Sequence, residues 1–167
     1  MTAILSATHL SAGYGHHEII TDQEITVQSG VITGLIGPNG SGKSTLLNVL
    51  NGFESPMAGK ITLQGRPLQQ FSAKKRAQQI AFLAQHPIAP DGITVRELVS
   101  FGRYCHSHGF RWLNPKDRNT VQEAIQTVHL NDFQDRLVAD LSGGQRQRAF
   151  IAMTLAQDSP IMMLDEP

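Results

Sequence analysis

Nine consecutive residues, Gly37-Pro38-Asn39-Gly40-Ser41-Gly42-Lys43-Ser44-Thr45, have the types and order needed to hold a chain of phosphates. Gly40 and Gly42 permit the tight backbone turn that points successive N–H groups at anionic oxygens. A helix starting near Lys43 adds the partial positive charge of its N-terminus. The Lys43 ammonium neutralises β and γ phosphates, and the Ser44 hydroxyl is placed to ligate Mg2+. A glycine-rich turn can match this pattern by chance. Here an apolar run precedes it and a helical run follows it, which is the context a phosphate loop needs. The chemistry implied is binding of a nucleoside triphosphate.

Two later segments extend that chemistry. Ile161-Met162-Met163-Leu164 is an apolar run that ends in Asp165-Glu166. Asp165 at a strand tip can hold the Mg2+ shell, and Glu166 can polarise an attacking water. Taken alone, such a run is a strand entering a solvated turn; after a phosphate loop it reads as the hydrolytic half of a site. In Leu141-Ser142-Gly143-Gly144-Gln145, Ser142 and Gln145 stand at capping-box spacing. Gly143 and Gly144 leave the first N–H groups of that helix unobstructed. Alone this is a glycine-rich helix cap. With the other two segments it is a second anion-binding helix start.

These residues need elements to carry them. Ala3–Leu10 and Glu24–Val27 read as strands around the turn-rich Ser11–His17. Val31–Ile36 is short, apolar and rich in β-branched residues, as a buried parallel strand should be. Lys43–Leu50 carries apolar residues at helical spacing and ends at Asn51-Gly52. Gly59–Gln64 reads as a strand, Ser72 caps a short helix through Gln78, and Ile80–Ala84 reads as another strand. Thr94-Val95-Arg96-Glu97 is a capping box that opens a helix. Asn114-Pro115-Lys116-Asp117 opens another, with Val121, Ala124, Ile125 and Val128 on one face. Ser142–Gln157 reads as a helix and Ile161–Leu164 as a buried strand. The pattern is an α/β core made of residues 1–89 and 141–167, with a helical subdomain inserted at 90–140.

Composition narrows the partners. The 167 residues are 40% hydrophobic, and 14 Lys and Arg balance 14 Asp and Glu. That neutrality points away from nucleic acid as the main partner. No stretch approaches the length of a bilayer span, so membrane association would pass through another protein. Cys105, the one cysteine, suits a small buried hydrophobe in a reducing compartment. Lys74-Lys75-Arg76 reads as a solvated helix face. His86, His106 and His108 form no metal-ligand pattern, and Phe110 and Trp112 read as packing for the helical insertion.

The ordered set GPNGSGKST, LSGGQRQR and IMMLDEP resembles the nucleotide-binding domain of ATP-binding cassette (ABC) proteins, over the whole chain. The resemblance implies a P-loop NTPase fold, with ATP and Mg2+ as ligands. It implies that two such domains pair head to tail, so that Ser142, Gly143, Gly144 and Gln145 of one copy close over the ATP held by Gly37–Thr45 of the other. Gln85 matches the Q-loop glutamine, which senses Mg2+ and links the site to a transporter; by residue type alone it is a polar group leaving a strand. Tyr14 matches the aromatic that stacks on adenine, or else packs a strand edge. Asp91–Val99, Gly102-Arg103-Tyr104 and Leu141–Arg148 resemble bacterial importer ATPases for iron–siderophore complexes of the ferric enterobactin type, with haem and cobalamin importers as near relatives.

That resemblance implies an ATPase subunit on the cytoplasmic face of the bacterial inner membrane. Its partners would be a second copy, a membrane permease and, indirectly, a substrate-binding protein. A soluble non-transport ABC ATPase is the competing class. DNA-repair types place a long coiled coil between phosphate loop and signature, and Lys43 to Leu141 has neither room nor heptads for one. A module that binds nucleotide without hydrolysis is a third class, against which Glu166 speaks. The resemblance also implies a further loop directly after Pro167 and a histidine on a later strand, between the phosphate-loop and Glu166 strands. None of the seven histidines lies after Glu166. The expectation is an incomplete core sheet, and a chain that alone is unstable and essentially inactive.

Overall fold

A computed structural model describes residues 3–106 and 113–166. The histidine at 108 and the aromatic residues Phe110 and Trp112 lie outside the described residues. The chain divides into two compact units, Met1–Arg76 and Ala77–Pro167.

The first unit is built on an antiparallel hairpin. Strands β1 (Ala3–Tyr14) and β2 (His17–Gln28) pair from Ala3 opposite Gln28 to Tyr14 opposite His17. The turn expected over Ser11–His17 is therefore shorter. It is Gly15-His16, with Gly15 at φ 59°, a conformation that suits a two-residue hairpin loop. Register shifts flank His9, itself at φ 49°, so β1 carries a bulge there. The His9 backbone N–H donates to Glu24 and its ring nitrogen meets Asp22 at 2.7 Å. That hydrogen bond, followed by the charges of Asp22 and Glu24, raises the His9 pKa above 6.5. Strands β3 (Ala58–Leu63) and β4 (Arg66–Pro67) complete a sheet of order β2-β1-β3-β4. Helix α1 (Lys43–Asn51) buries Val49 and Leu50, while β1 and β3 bury Leu5, Leu10, Ile61 and Leu63. The short helix α2 (Ala73–Ala77) starts at Ser72, whose Oγ accepts from the Lys75 N–H.

One expectation fails in this unit. Val31–Ile36 forms no strand, and Ile32 and Ile36 are 99% and 96% exposed. The composition suits a parallel strand, but a strand exists only with a neighbour on its ladder. Among the described residues none pairs with this segment.

The second unit holds a parallel pair, β5 (Ile80–Leu83) and β6 (Ile161–Leu164), in register Ile80 to Ile161 through Leu83 to Leu164. Helices α3 (Val95–Ser100), α4 (Pro115–Thr127) and α5 (Gly143–Ala156) supply most of its core, with Val95, Leu98, Val121, Ile125, Ala149, Phe150 and Ala152 all buried. Both expected capping boxes are present, Thr94 with Glu97 and Ser142 with Gln145. Asn114 caps α4 by accepting from the Asp117 N–H at 2.8 Å. Strand β6 departs from the fully buried run expected of it. Ile161 and Met163 are buried, but Met162 and Leu164 are 39% and 38% exposed, so only one of its faces is covered. Inside the unit, Arg103 and Asp117 form a buried ion pair at 2.8 Å, and Arg103 also donates to the Ala156 carbonyl.

Candidate nucleotide and hydrolysis site

The phosphate-loop residues lie in the first unit. The backbone turns at Gly40 (φ 81°) and Gly42 (φ 89°), a region closed to most side chains. A Cβ on Gly42 would also come within 2.9 Å of the Ile19 side chain. Helix α1 begins immediately after, and no side chain caps it, so its leading N–H groups suit an anion. The Lys43 ammonium donates to the carbonyls of Gly37 (3.0 Å) and Pro38 (3.1 Å). It is folded over the loop whose phosphates it would neutralise. Tyr14 ends β1 half exposed, across the hairpin from His17. Because Ile19 and Ile20 of the same hairpin pack at Gly42, Tyr14 stands on the strand pair that supports the phosphate loop. Pro38, Asn39, Ser41 and Ser44 belong to the same loop and helix start, and Thr45 is buried beneath it.

The carboxylates lie in the second unit, at the tips of β5 and β6. The Asp165 N–H donates to the Leu83 carbonyl at 3.0 Å and extends the ladder by one step. Asp165 is buried, while Glu166 is exposed with φ 47°. The Gln85 side-chain N–H donates to Glu166 Oε2 at 2.6 Å. Gln85, Gly143 and Glu166 line one cleft of about 330 Å3 with Arg146, Gln147 and Phe150. So the Ser142–Gly143 helix start, Gln85 and the second carboxylate come together within one unit. In the sequence Arg146 and Gln147 stand only within the Leu141–Arg148 resemblance, and Phe150 carries no assigned role. Their signal was there: with Gly143 they fall at i, i+3, i+4 and i+7, one face of α5. At the start of that helix the Gln145 N–H is taken by Ser142 Oγ, while the space around Gly143 and Gly144 is open to 4 Å.

The residue chemistry of each unit fits the implied ligands. In the first unit a glycine-lined, uncapped helix start with one lysine suits a triphosphate, and in the second the oxygen donors Asp165 and the Gln85 carbonyl are of the type a hard divalent cation takes. Among the described residues no cluster of three His, Cys, Asp or Glu forms a metal site of another kind.

Comparison with known proteins identifies the family. The family model for ABC transporters matches residues 20–167. The chain belongs to the ABC transporter family. As an ABC ATP-binding chain it is 44% identical over 163 residues to the iron(3+)-hydroxamate import ATP-binding protein FhuC of Bacillus subtilis, covering 98% of this chain and 61% of that protein. It is 42% identical over 165 residues to the ferric enterobactin transport ATP-binding protein FepC of Escherichia coli, covering 99% and 61%. The chain thus spans about 60% of the length of the curated relatives it matches. Among solved structures, an inward-facing candidate metal-chelate type ABC transporter superposes with a TM-score of 0.83 at 30% identity, covering 99% of this chain and 60% of that one. A nucleotide-free ATP-binding cassette from an ABC transporter superposes with a TM-score of 0.83 at 24% identity, covering 98% and 69%, and shows the shared fold. Among the described residues no helix is long and apolar enough to cross a membrane.

Proposed function

We propose that this ABC ATP-binding chain powers import of an iron–siderophore complex through a membrane permease. The observation that carries the reading is the phosphate loop, signature and Asp165-Glu166 in order along a chain whose relatives over 98–99% of its length are iron-chelate import ATP-binding proteins. In this reading Gly37–Thr45 binds the ATP phosphates, Tyr14 stacks on the adenine, and Lys43 offsets phosphate charge. Ser44, Asp165 and Gln85 hold Mg2+, which when bound neutralises charge developing on the phosphoryl oxygens. Glu166 takes a proton from the attacking water. Ser142 to Gln145 act on the nucleotide of a second copy, so two chains close around two ATP molecules and reopen after hydrolysis. Residues 90–140 form the helical subdomain beside an α/β core, and the subunit works at the cytoplasmic face of the inner membrane, facing a permease fed by a substrate-binding protein.

The test is uptake of radiolabelled iron–siderophore by cells deleted for the gene. Uptake falls to background on deletion. The whole protein restores it, and Lys43→Ala in the whole protein does not. Undiminished uptake of every iron chelate in the deletion strain, with loss of haem or cobalamin uptake instead, would move the substrate assignment to those relatives.

A further inference from the structure

We infer that Gln85 is a positioning residue for Glu166: its side-chain amide N–H holds the carboxylate that activates water. The inference rests on the reading of Glu166 as the general base. It adds to the role proposed for Gln85 toward the metal, because an amide carries a donor nitrogen beside its carbonyl oxygen.

The contact is built into the sheet. β5 and β6 run parallel with Leu83 opposite Leu164. The Asp165 N–H to Leu83 carbonyl bond carries that register one step beyond the strands. Two residues past the last pair stand Gln85 and Glu166, 81 positions apart in sequence and adjacent in space. The Gln85 N–H reaches Glu166 Oε2 at 2.6 Å, a direct amide-to-carboxyl hydrogen bond. Glu166 has a left-handed backbone, φ 47°, so regular strand geometry does not set the direction of its side chain. A fixed donor from the adjacent strand supplies that orientation. A general base must sit within hydrogen-bond reach of the water it deprotonates, and small misplacements cost large factors in rate. Among the described residues, His86 from the loop after β5 and Arg146 from α5 line the same cleft as the carboxylate, and Asp165 precedes it in the chain.

Three variants of the whole protein test this, with two readouts. Gln85→Ala lowers kcat about tenfold or more, the worth of one hydrogen bond to a charged group, and leaves the KM for ATP within about twofold. In nucleotide-free and metal-free protein, the NMR signal of the Gln85 side-chain amide moves on Glu166→Ala, while the backbone amides of residues 80–83 and 161–164 stay in place. A tenfold rise in KM with kcat unchanged would assign Gln85 to ligand binding alone and overturn the inference. So would faster turnover in Gln85→Ala, which would make the contact a restraint, or an unmoved Gln85 amide signal. Glu166→Gln separates the two readings. Wild-type turnover there defeats the general-base role itself; loss of turnover there with normal Gln85→Ala kinetics defeats only the positioning role.

Discussion

At the residue scale, the second unit depends on one buried charge pair more than on any surface contact. Arg103 and Asp117 are 5% and 7% exposed, and Arg103 also satisfies the Ala156 carbonyl at the end of α5. Removing one partner leaves the other charged and dry. Asp117→Ala is expected to cost roughly 3–5 kcal/mol, whereas replacing both by apolar residues of matched volume is expected to cost far less. Urea unfolding of the single and double variants measures the difference. Equal losses would mean the cost lies in packing. This pair was not legible from sequence. In the sequence Arg103 is one residue of a family-like segment and Asp117 an acid in a first helical turn. Nothing local tells that a helix start and a preceding turn will meet in the core. The turn at Gly40 and Gly42 and the helix start at Lys43 were legible to single residues, because turn and helix start are local demands.

At the element scale, helix starts were readable and sheet neighbours were not. Thr94, Asn114 and Ser142 each cap the helix their residue type announces, since capping involves only the next three residues. Val31–Ile36 shows the opposite case. Its β-branched composition speaks for a strand, but a strand is made by its neighbours, and here it has none among the described residues. The same holds for the Gln85–Glu166 contact, which only the β5–β6 register creates. Two predictions belong here. A Cβ on Gly102 would stand 2.2 Å from the Met153 carbonyl oxygen of α5, so Gly102→Ala forces backbone apart. It should destabilise the unit by roughly 1–3 kcal/mol, read as a lower urea midpoint. The α3 cap carries a pH signature. Hydrogen bonds from the Thr94 backbone and hydroxyl lower the Glu97 pKa below 4.5. A lowered folded pKa means the stabilisation is complete above 4.5 and is lost as pH falls through the folded value. The stability gap between wild type and Glu97→Gln should therefore be constant near neutrality and shrink below pH 4.5. A gap unchanged down to pH 3 would contradict the charged cap.

At the scale of the molecule, the motifs singled out in the sequence fall in two separate units. The first presents a phosphate loop on a hairpin-based sheet. The second gathers Gln85, Glu166 and the signature helix start around one cleft. Fold family was legible because three motifs stand in a fixed order, each with a physical task. The transported solute was not, because no residue of an ATP-binding subunit has to touch it. The central claim is that Glu166 performs hydrolysis in a site completed by a second copy. Glu166→Gln in the whole protein tests it most directly, followed by ATP turnover and by sedimentation with ATP present. The account predicts retained ATP binding, turnover lower by about a hundredfold or more, and a stable two-copy species that wild type does not accumulate. Unchanged turnover, or tight ATP binding by a variant that stays a single copy, would contradict it.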